Sequence, residues 1–247
     1  MDDPGSLAAI AHALFPEKDT GTKADDYYRI YEPHFAPIRD RPLSIVELGV
    51  LEGKSTKVLA TYFRHSHLLA LDLQMQPIDF SQYHNVTYAR CDQNDRAGLA
   101  EMCARTFPSD IDLVIDDAAH IGAYSLNSFL ALFALLRPGG LYVIEDWGTG
   151  YWNDWPDGKA LKSHGCSHYR KGLPRRITSH DFGMVGLIKL LVDYVAGPDV
   201  RPAQGAPKTR PSLIDMMEIH FGTVVLRKAD IPAGETDLIA IRRQRWW

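Results

Sequence analysis

In Ile45-Val46-Glu47-Leu48-Gly49-Val50-Leu51-Glu52-Gly53 an apolar strand runs into an acid and two glycines spaced four apart. A second apolar run, Leu68-Leu69-Ala70-Leu71, ends in Asp72, nineteen residues beyond Gly53. A strand, a tight glycine turn, a helix and a second strand tipped with an acid is how an open parallel sheet holds a nucleoside-bearing cofactor. Gly49 and Gly53 let the backbone approach such a ligand closely, and Asp72 is placed to accept hydrogen bonds from ribose hydroxyls. Ser55, just inside the following helix, joins them as a cofactor-side candidate.

The spacing argues against a dinucleotide. A pyrophosphate binder carries G-x-G-x-x-G with a helix N-terminus facing phosphate, whereas this chain has E-x-G-x-x-x-G, and Glu47 would repel a phosphate. An acid at that position suits a ligand with a cationic portion, such as the ammonium and sulfonium of S-adenosylmethionine. Glu47, Gly49, Gly53 and Asp72 together resemble the cofactor motif of class I S-adenosylmethionine-dependent methyltransferases. The alternative is an α/β turn that needs glycine for backbone reasons alone.

Beyond this stretch, strand and helix signals alternate. Strands are expected over 43–50, 67–73, 86–91, 111–115 and 141–144, with helices over 54–63, 97–106 and 125–136. Arg137-Pro138-Gly139-Gly140 reads as the stop signal of the last of these helices. Such alternation predicts an open, mostly parallel, doubly wound α/β sheet, and the resemblance implies its Rossmann-like, class I methyltransferase form. A further helix is expected over 180–196 with Val185, Ile188, Leu191, Val192 and Val195 inward, and residues 216–220 and 223–226 as an antiparallel pair at the sheet edge. The chain divides into an N-terminal extension, 1–40, expected to cover cofactor or substrate through residues such as Thr20, Lys23, Tyr27 and Tyr31. The domain proper is 41–247, with a long insertion at about 148–180.

Ligands in open α/β sheets bind beyond the carboxyl ends of the strands. That rule brings together Asp72, Asp92-Gln93, Asp116-Asp117-Ala118-Ala119-His120 and Glu145-Asp146-Trp147. Four acids on two neighbouring strand ends are costly unless a positive charge sits between them. Oxygen donors with no cysteine and one nearby histidine suit a hard cation, Mg²⁺ before Ca²⁺ or Zn²⁺. Asp117, Glu145 and Asp146 are expected to ligate, with Asp116 facing the cofactor's amino group. The competing reading is acids solvated at loop mouths or capping helices. His120 is the candidate general base, set against a histidine that merely orients its loop.

D-D-A-A-H followed by E-D is similar to the metal-dependent sugar O-methyltransferases of macrolide biosynthesis, of the mycinamicin type, whose pattern reads D-D-G-S-H and then E-D. The resemblance implies Mg²⁺ held by Asp117, Glu145 and Asp146, and His120 as base, with Asp117 also at the reacting centre. It extends to Asp92-Gln93-Asn94-Asp95, near the adenine in that family, to Leu135–Ile144, to Tyr151-Trp152 and to Asp19–Lys23. Two departures are visible: Ala118-Ala119 replaces Gly-Ser, and the separate N-terminal domain of larger members is not seen. The implied function is Mg²⁺-assisted methylation of a sugar hydroxyl on a natural product, by S-adenosylmethionine. A catechol, phenolic or polyketide hydroxyl is the alternative acceptor, and a non-catalytic S-adenosylmethionine-binding protein the alternative class. Trp147, Trp152, Trp155 and Tyr151 either stack on substrate rings or anchor their loop.

Bulk composition bounds the partners. The chain has 247 residues, 45% hydrophobic and 23% charged, with a formal charge of −4, which gives no reason to expect nucleic acid or an anionic membrane. Cys91, Cys103 and Cys166 form no C-x-x-C pair and suggest neither disulfides nor zinc. No signal peptide or membrane span is read, so a cytoplasmic enzyme with a small-molecule substrate is expected, with a homo-oligomer left open.

Overall fold

The computed structural model describes residues 5–16, 25–163, 179–199, 203–205 and 212–230. Its strands are β1 (Ser44–Leu48), β2 (His67–Asp72), β3 (Val86–Arg90), β4 (Ile111–Asp116), β5 (Leu136–Glu145), β6 (Ile214–Ile219) and β7 (Thr223–Lys228). They form one sheet in the order β3-β2-β1-β4-β5-β7-β6. β3, β2, β1, β4 and β5 pair in parallel, and β7 runs antiparallel between β5 and β6. The expected doubly wound sheet and its closing antiparallel pair are both present, with β7 one place in from the edge.

Two helical layers cover the sheet. On one face lie α4 (Arg96–Thr106), α5 (Gly122–Leu135) and α7 (Gly183–Ala196), packed through Leu99, Phe129, Phe133 and Leu187. On the other lie α1 (Leu7–Leu14), α2 (Asp25–Phe35) and α3 (Lys54–Tyr62), packed through Leu7, Tyr31, Phe35 and Leu59. A helix α6 (Pro156–Ser163) lies within the long insertion. No described helix is long and apolar enough to cross a membrane.

Strand alternation sorts the side chains between these layers. Val46, Leu48, Val114, Tyr142 and Ile144 face the α5 layer, and Ile45, Leu113, Ile115, Leu141 and Val143 face the α2–α3 layer. By the same period, Asp116 belongs to the α5 side, while Glu47 and Glu145 belong to the α2–α3 side. That assignment controls the site.

Two local expectations are corrected. Arg137-Pro138-Gly139-Gly140 does not separate helix from strand, because β5 begins at Leu136 directly after α5. The β4–β5 register runs Ile111↔Leu136 and then Leu113↔Leu141, so the four residues bulge within the strand, with Gly139 at φ 70°. Val192 is exposed rather than inward. One residue past the buried Leu191, it is turned about 100° around the helix. His164, His168, Cys166, Thr20, Thr22 and Lys23 lie outside the described residues.

Candidate active site at the carboxyl edge of the sheet

The glycine turn after β1 is built as its sequence requires. Gly49 (φ 86°) and Gly53 (φ 74°) are both left-handed, and Gly53 opens α3. A Cβ on Gly49 would lie 2.2 Å from the Asp117 carbonyl oxygen, so only glycine lets the β1 and β4 ends approach this closely. Leu51, also left-handed, projects into solvent. Asp72 secures this turn: its Oδ2 accepts the N–H groups of Val50 (2.8 Å) and Leu51 (3.1 Å), and its Oδ1 accepts that of Gln74 (2.9 Å). A carboxylate has about four lone-pair sites, so capacity remains for a ligand hydroxyl. Ser55 presents a buried Oγ with no hydrogen-bond partner among the described residues. Asp92, exposed at the end of β3, accepts the Asn94 N–H at 2.8 Å.

Three residues expected to face the cofactor have partners within the scaffold. Glu47 is fully buried on the α3 side, where Thr56 Oγ1 donates to its Oε2 at 2.6 Å. Asp116 points beneath α5, where Gln93 Nε2 and Ser128 Oγ each donate to it at 2.6 Å. Gln93, also buried, accepts the Ala119 N–H through its Oε1 at 3.2 Å. For Glu47 and Asp116 the cause is the two-residue strand period, which sends alternate side chains to opposite layers. Burial raises the Asp116 carboxyl to about 7, reinforced by the neighbouring Asp117 charge and opposed by hydrogen bonds from Ser128, Ala118 and Tyr142.

Two of the expected acids converge, and the candidate base joins them. Asp117, His120 and Asp146 bring one ligand atom each within 4.8 Å of one another. His120 Nε2 lies 3.8 Å from Asp117 Oδ1 and 3.7 Å from Asp146 Oδ2. These separations are too long for hydrogen bonds and leave room for a shared cation. His120 (φ 49°) and Asp146 (φ 52°) are both left-handed without being glycine, an arrangement that concentrates at functional sites. The left-handed turn at Asp146 breaks the strand alternation after Glu145 and swings Asp146 toward His120. Glu145, expected as a third ligand, stays on the α2 side, buried and accepting the Tyr31 hydroxyl.

Helix α2 brings two of the expected cover residues onto the acid pair, a pairing the sequence did not show. Tyr27 and Tyr31, four residues apart and so on one helix face, donate their hydroxyls to Asp146 Oδ1 and Glu145 Oε1 respectively. Burial first, then the adjacent carboxylates, pushes both phenols far above their ordinary value, so both remain donors. The i, i+4 tyrosines were a usable signal, but their partners lie more than a hundred residues away.

The aromatic segment divides its roles. Trp147 Nε1 donates to the His220 carbonyl at 2.9 Å, and Trp155 Nε1 to the Ala119 carbonyl at 3.3 Å. Trp155 also lies against His120, with ring centroids 5.8 Å apart. These two anchor the segment, while Trp152 stays half exposed. The β6–β7 tip closes the far wall: Phe221, 70% exposed, meets Tyr27 edge-on at 5.9 Å.

Comparison with known proteins agrees with this fold. No family model matches the chain. It is 39% identical over 135 residues to the 8-demethyl-8-alpha-L-rhamnosyl tetracenomycin-C 2'-O-methyltransferase of Streptomyces olivaceus, covering 51% of this chain and 34% of that protein. It is 36% identical over 130 residues to the mycinamicin VI 2''-O-methyltransferase of Micromonospora griseorubida, covering 49% of this chain and 31% of that protein. The chain spans about a third of the length of these curated relatives. The structure of the MycE methyltransferase of the mycinamycin pathway, in complex with Mg and SAH, matches with a TM-score of 0.68 at 24% identity. That match covers 96% of this chain and 59% of the other. A putative caffeoyl-CoA O-methyltransferase from Staphylococcus aureus matches with a TM-score of 0.53 at 11% identity, covering 91% and 92%. The fold is that of the class I methyltransferases.

Proposed function

We propose that this chain is an S-adenosylmethionine-dependent O-methyltransferase that uses Mg²⁺ to methylate a hydroxyl of a sugar carried on a natural product. The observation that carries this is the meeting of Asp117, His120 and Asp146 at the strand ends, one backbone contact from the Gly49 turn.

The residues present fit both groups. For the cofactor there are two left-handed glycines, the unpartnered Ser55 hydroxyl, and remaining acceptor capacity on Asp72. For the cation there are the carboxylates of Asp117 and Asp146, oxygen donors suited to a hard divalent ion, with the His120 imidazole beside them left to take a proton. S-adenosylmethionine supplies an electrophilic methyl group and Mg²⁺ lowers the pKa of a nearby hydroxyl. Asp117 and Asp146 hold the cation, with Glu145 adding negative charge from the layer below. His120 Nε2 accepts the proton of the substrate hydroxyl. Gly49, Gly53, Ser55, Asp72 and Asp92 line the cofactor side, with Gln93 and Asp116 bracing the loop that carries Asp117. Trp147 and Trp155 fix the segment beside the base and help exclude water. Helices α1 and α2 act as the cover whose tyrosines orient the acid pair.

The curated relatives act on rhamnosylated tetracenomycin and on mycinamicin, which supports a glycosylated natural product as the acceptor here. Free Cys91 and Cys103 suit the cytoplasm. The test is transfer of labelled methyl from S-adenosylmethionine to rhamnosylated polyketides and to catechols. Transfer to the glycosides that disappears in EDTA and returns with Mg²⁺ is expected. Undiminished transfer without divalent metal, or turnover of phenols alone, would overturn the assignment.

A further inference from the structure

Asp157 is a buried carboxylate on α6 whose Oδ2 accepts two backbone N–H groups from different helices, Gly122 at 2.9 Å and Met184 at 2.8 Å. Gly122 is the first residue of α5 and Met184 the second of α7. Neither helix has a side-chain cap of its own, since Ile121 and Phe182 precede them and make no capping bond. One carboxylate therefore serves two helix starts, and the positive ends of both dipoles offset its burial. The junction admits no larger residues. A Cβ on Gly122 would lie 2.2 Å from the Gly183 carbonyl carbon, and one on Gly183 would lie 2.3 Å from Asp157 Cγ.

Gly122 stands two residues after His120, so whatever fixes Gly122 also fixes the end of the His120 loop. The same insertion grips that loop at neighbouring points. Trp155 Nε1 donates to the Ala119 carbonyl, and Thr149 Oγ1 to the His120 carbonyl at 3.3 Å. From the opposite side Gln93 holds the Ala119 N–H. His120 occupies a left-handed conformation that its own side chain disfavours, and such a conformation persists only where the surroundings over-determine it.

We propose that Asp157 is a positioning residue: by capping α5 from outside that helix it holds His120 in the left-handed conformation that aims Nε2 at Asp117 and Asp146. The inference rests on the proposed role of His120 as base. It makes the aim of the base depend on docking of the 149–157 segment.

The test uses Asp157→Ala and Asp157→Asn in the full chain, alone and combined with His120→Ala. Hydrogen exchange across residues 119–124 should quicken at least tenfold in Asp157→Ala, with Asp157→Asn intermediate because one acceptor oxygen survives. Turnover per S-adenosylmethionine-binding site, counted by calorimetry, should fall at least tenfold while KM for S-adenosylmethionine stays within twofold. Adding Asp157→Ala to His120→Ala should cost nothing more, as expected when one residue acts through the other. Unchanged exchange over 119–124, or losses that multiply in the double variant, would overturn the proposal. Should Asp157→Ala fail to fold, Asp157→Asn carries the same measurements. If the wild type transfers no methyl group, the functional reading fails, and exchange still decides whether Asp157 holds the loop.

Discussion

Replacing Gly49 with alanine puts a methyl carbon 2.2 Å from the Asp117 carbonyl oxygen, 2.7 Å from its carbonyl carbon and 2.8 Å from Ala118 Cα. All three neighbours are backbone, so no side chain can rotate away. Ordinary contacts begin near 3.5 Å, which means the β1 and β4 ends must part by about 1 Å. Two hydrogen bonds flank the point of contact, Gly49 N–H to Leu71 O and Asp117 N–H to Leu48 O, both 2.9 Å. Loosening them costs about 1 kcal/mol each. Holding an L-residue at the φ of 86° seen here adds about 1–2 kcal/mol. The total, about 3–4 kcal/mol, should lower the melting temperature by roughly 10 °C for a chain of this size. Because the displaced atom belongs to Asp117, turnover should also fall by about 100-fold through misplacement alone. Gly148 is the control, since a Cβ there meets nothing within 4 Å. Thermal unfolding, Mg²⁺ titration calorimetry and methyl-transfer rates read the outcome. A folded Gly49→Ala variant with wild-type melting and turnover would refute the claim that this contact sets the Asp117 position.

Tyr27→Phe removes the donor to Asp146 Oδ1 while leaving the ring against Phe221. Divalent affinity measured by calorimetry should drop about tenfold, and an unchanged value would exclude Tyr27 from orienting that carboxylate. His120→Ala should lower turnover by roughly 10²–10⁴ with cofactor affinity preserved, and a loss under tenfold would remove it as the base. Asp116 gives a pH dependence. Its folded value, raised by burial to about 7 from 3.8, means the folded state retains a proton that the unfolded chain has released between those values. The associated stability is present below about pH 4 and lost as pH rises toward 7, amounting to at most about 4 kcal/mol. Denaturant titrations from pH 5 to 8 should show wild type losing stability relative to Asp116→Asn as pH rises. A constant difference would mean Asp116 is ionised throughout.

The elements were legible because their chemistry is local. Apolar runs over β1, β2, β4 and β5, with glycines at 49 and 53, state the strand–turn–helix unit without reference to anything distant. The acids at positions 116, 117, 145 and 146 were legible as strand ends, and the open-sheet rule gathered them on one edge. Rotation about the chain was less legible. Strand period predicted that neighbouring acids diverge, yet which of them turned inward depended on where the left-handed turn fell. It fell at Asp146, which put Glu145 under α2, while the Ser128 hydroxyl and the Gln93 amide gave Asp116 a buried destination. Arg137–Gly140 looked like a helix stop because its composition fits one, whereas pairing with β4 drew it into a bulged strand.

The parallel α/β sheet, the glycine turn and the edge on which charge gathers could be read from the residues alone, since hydrophobic period and backbone sterics act within a few residues. It took the packed layers to bring Tyr27 and Tyr31 onto the acid pair, to set Asp157 at two helix starts, and to place His120 between Asp117 and Asp146. Those contacts join segments far apart in the chain. A buried polar group takes whichever partner the packed layers bring within reach, and no local pattern encodes that choice.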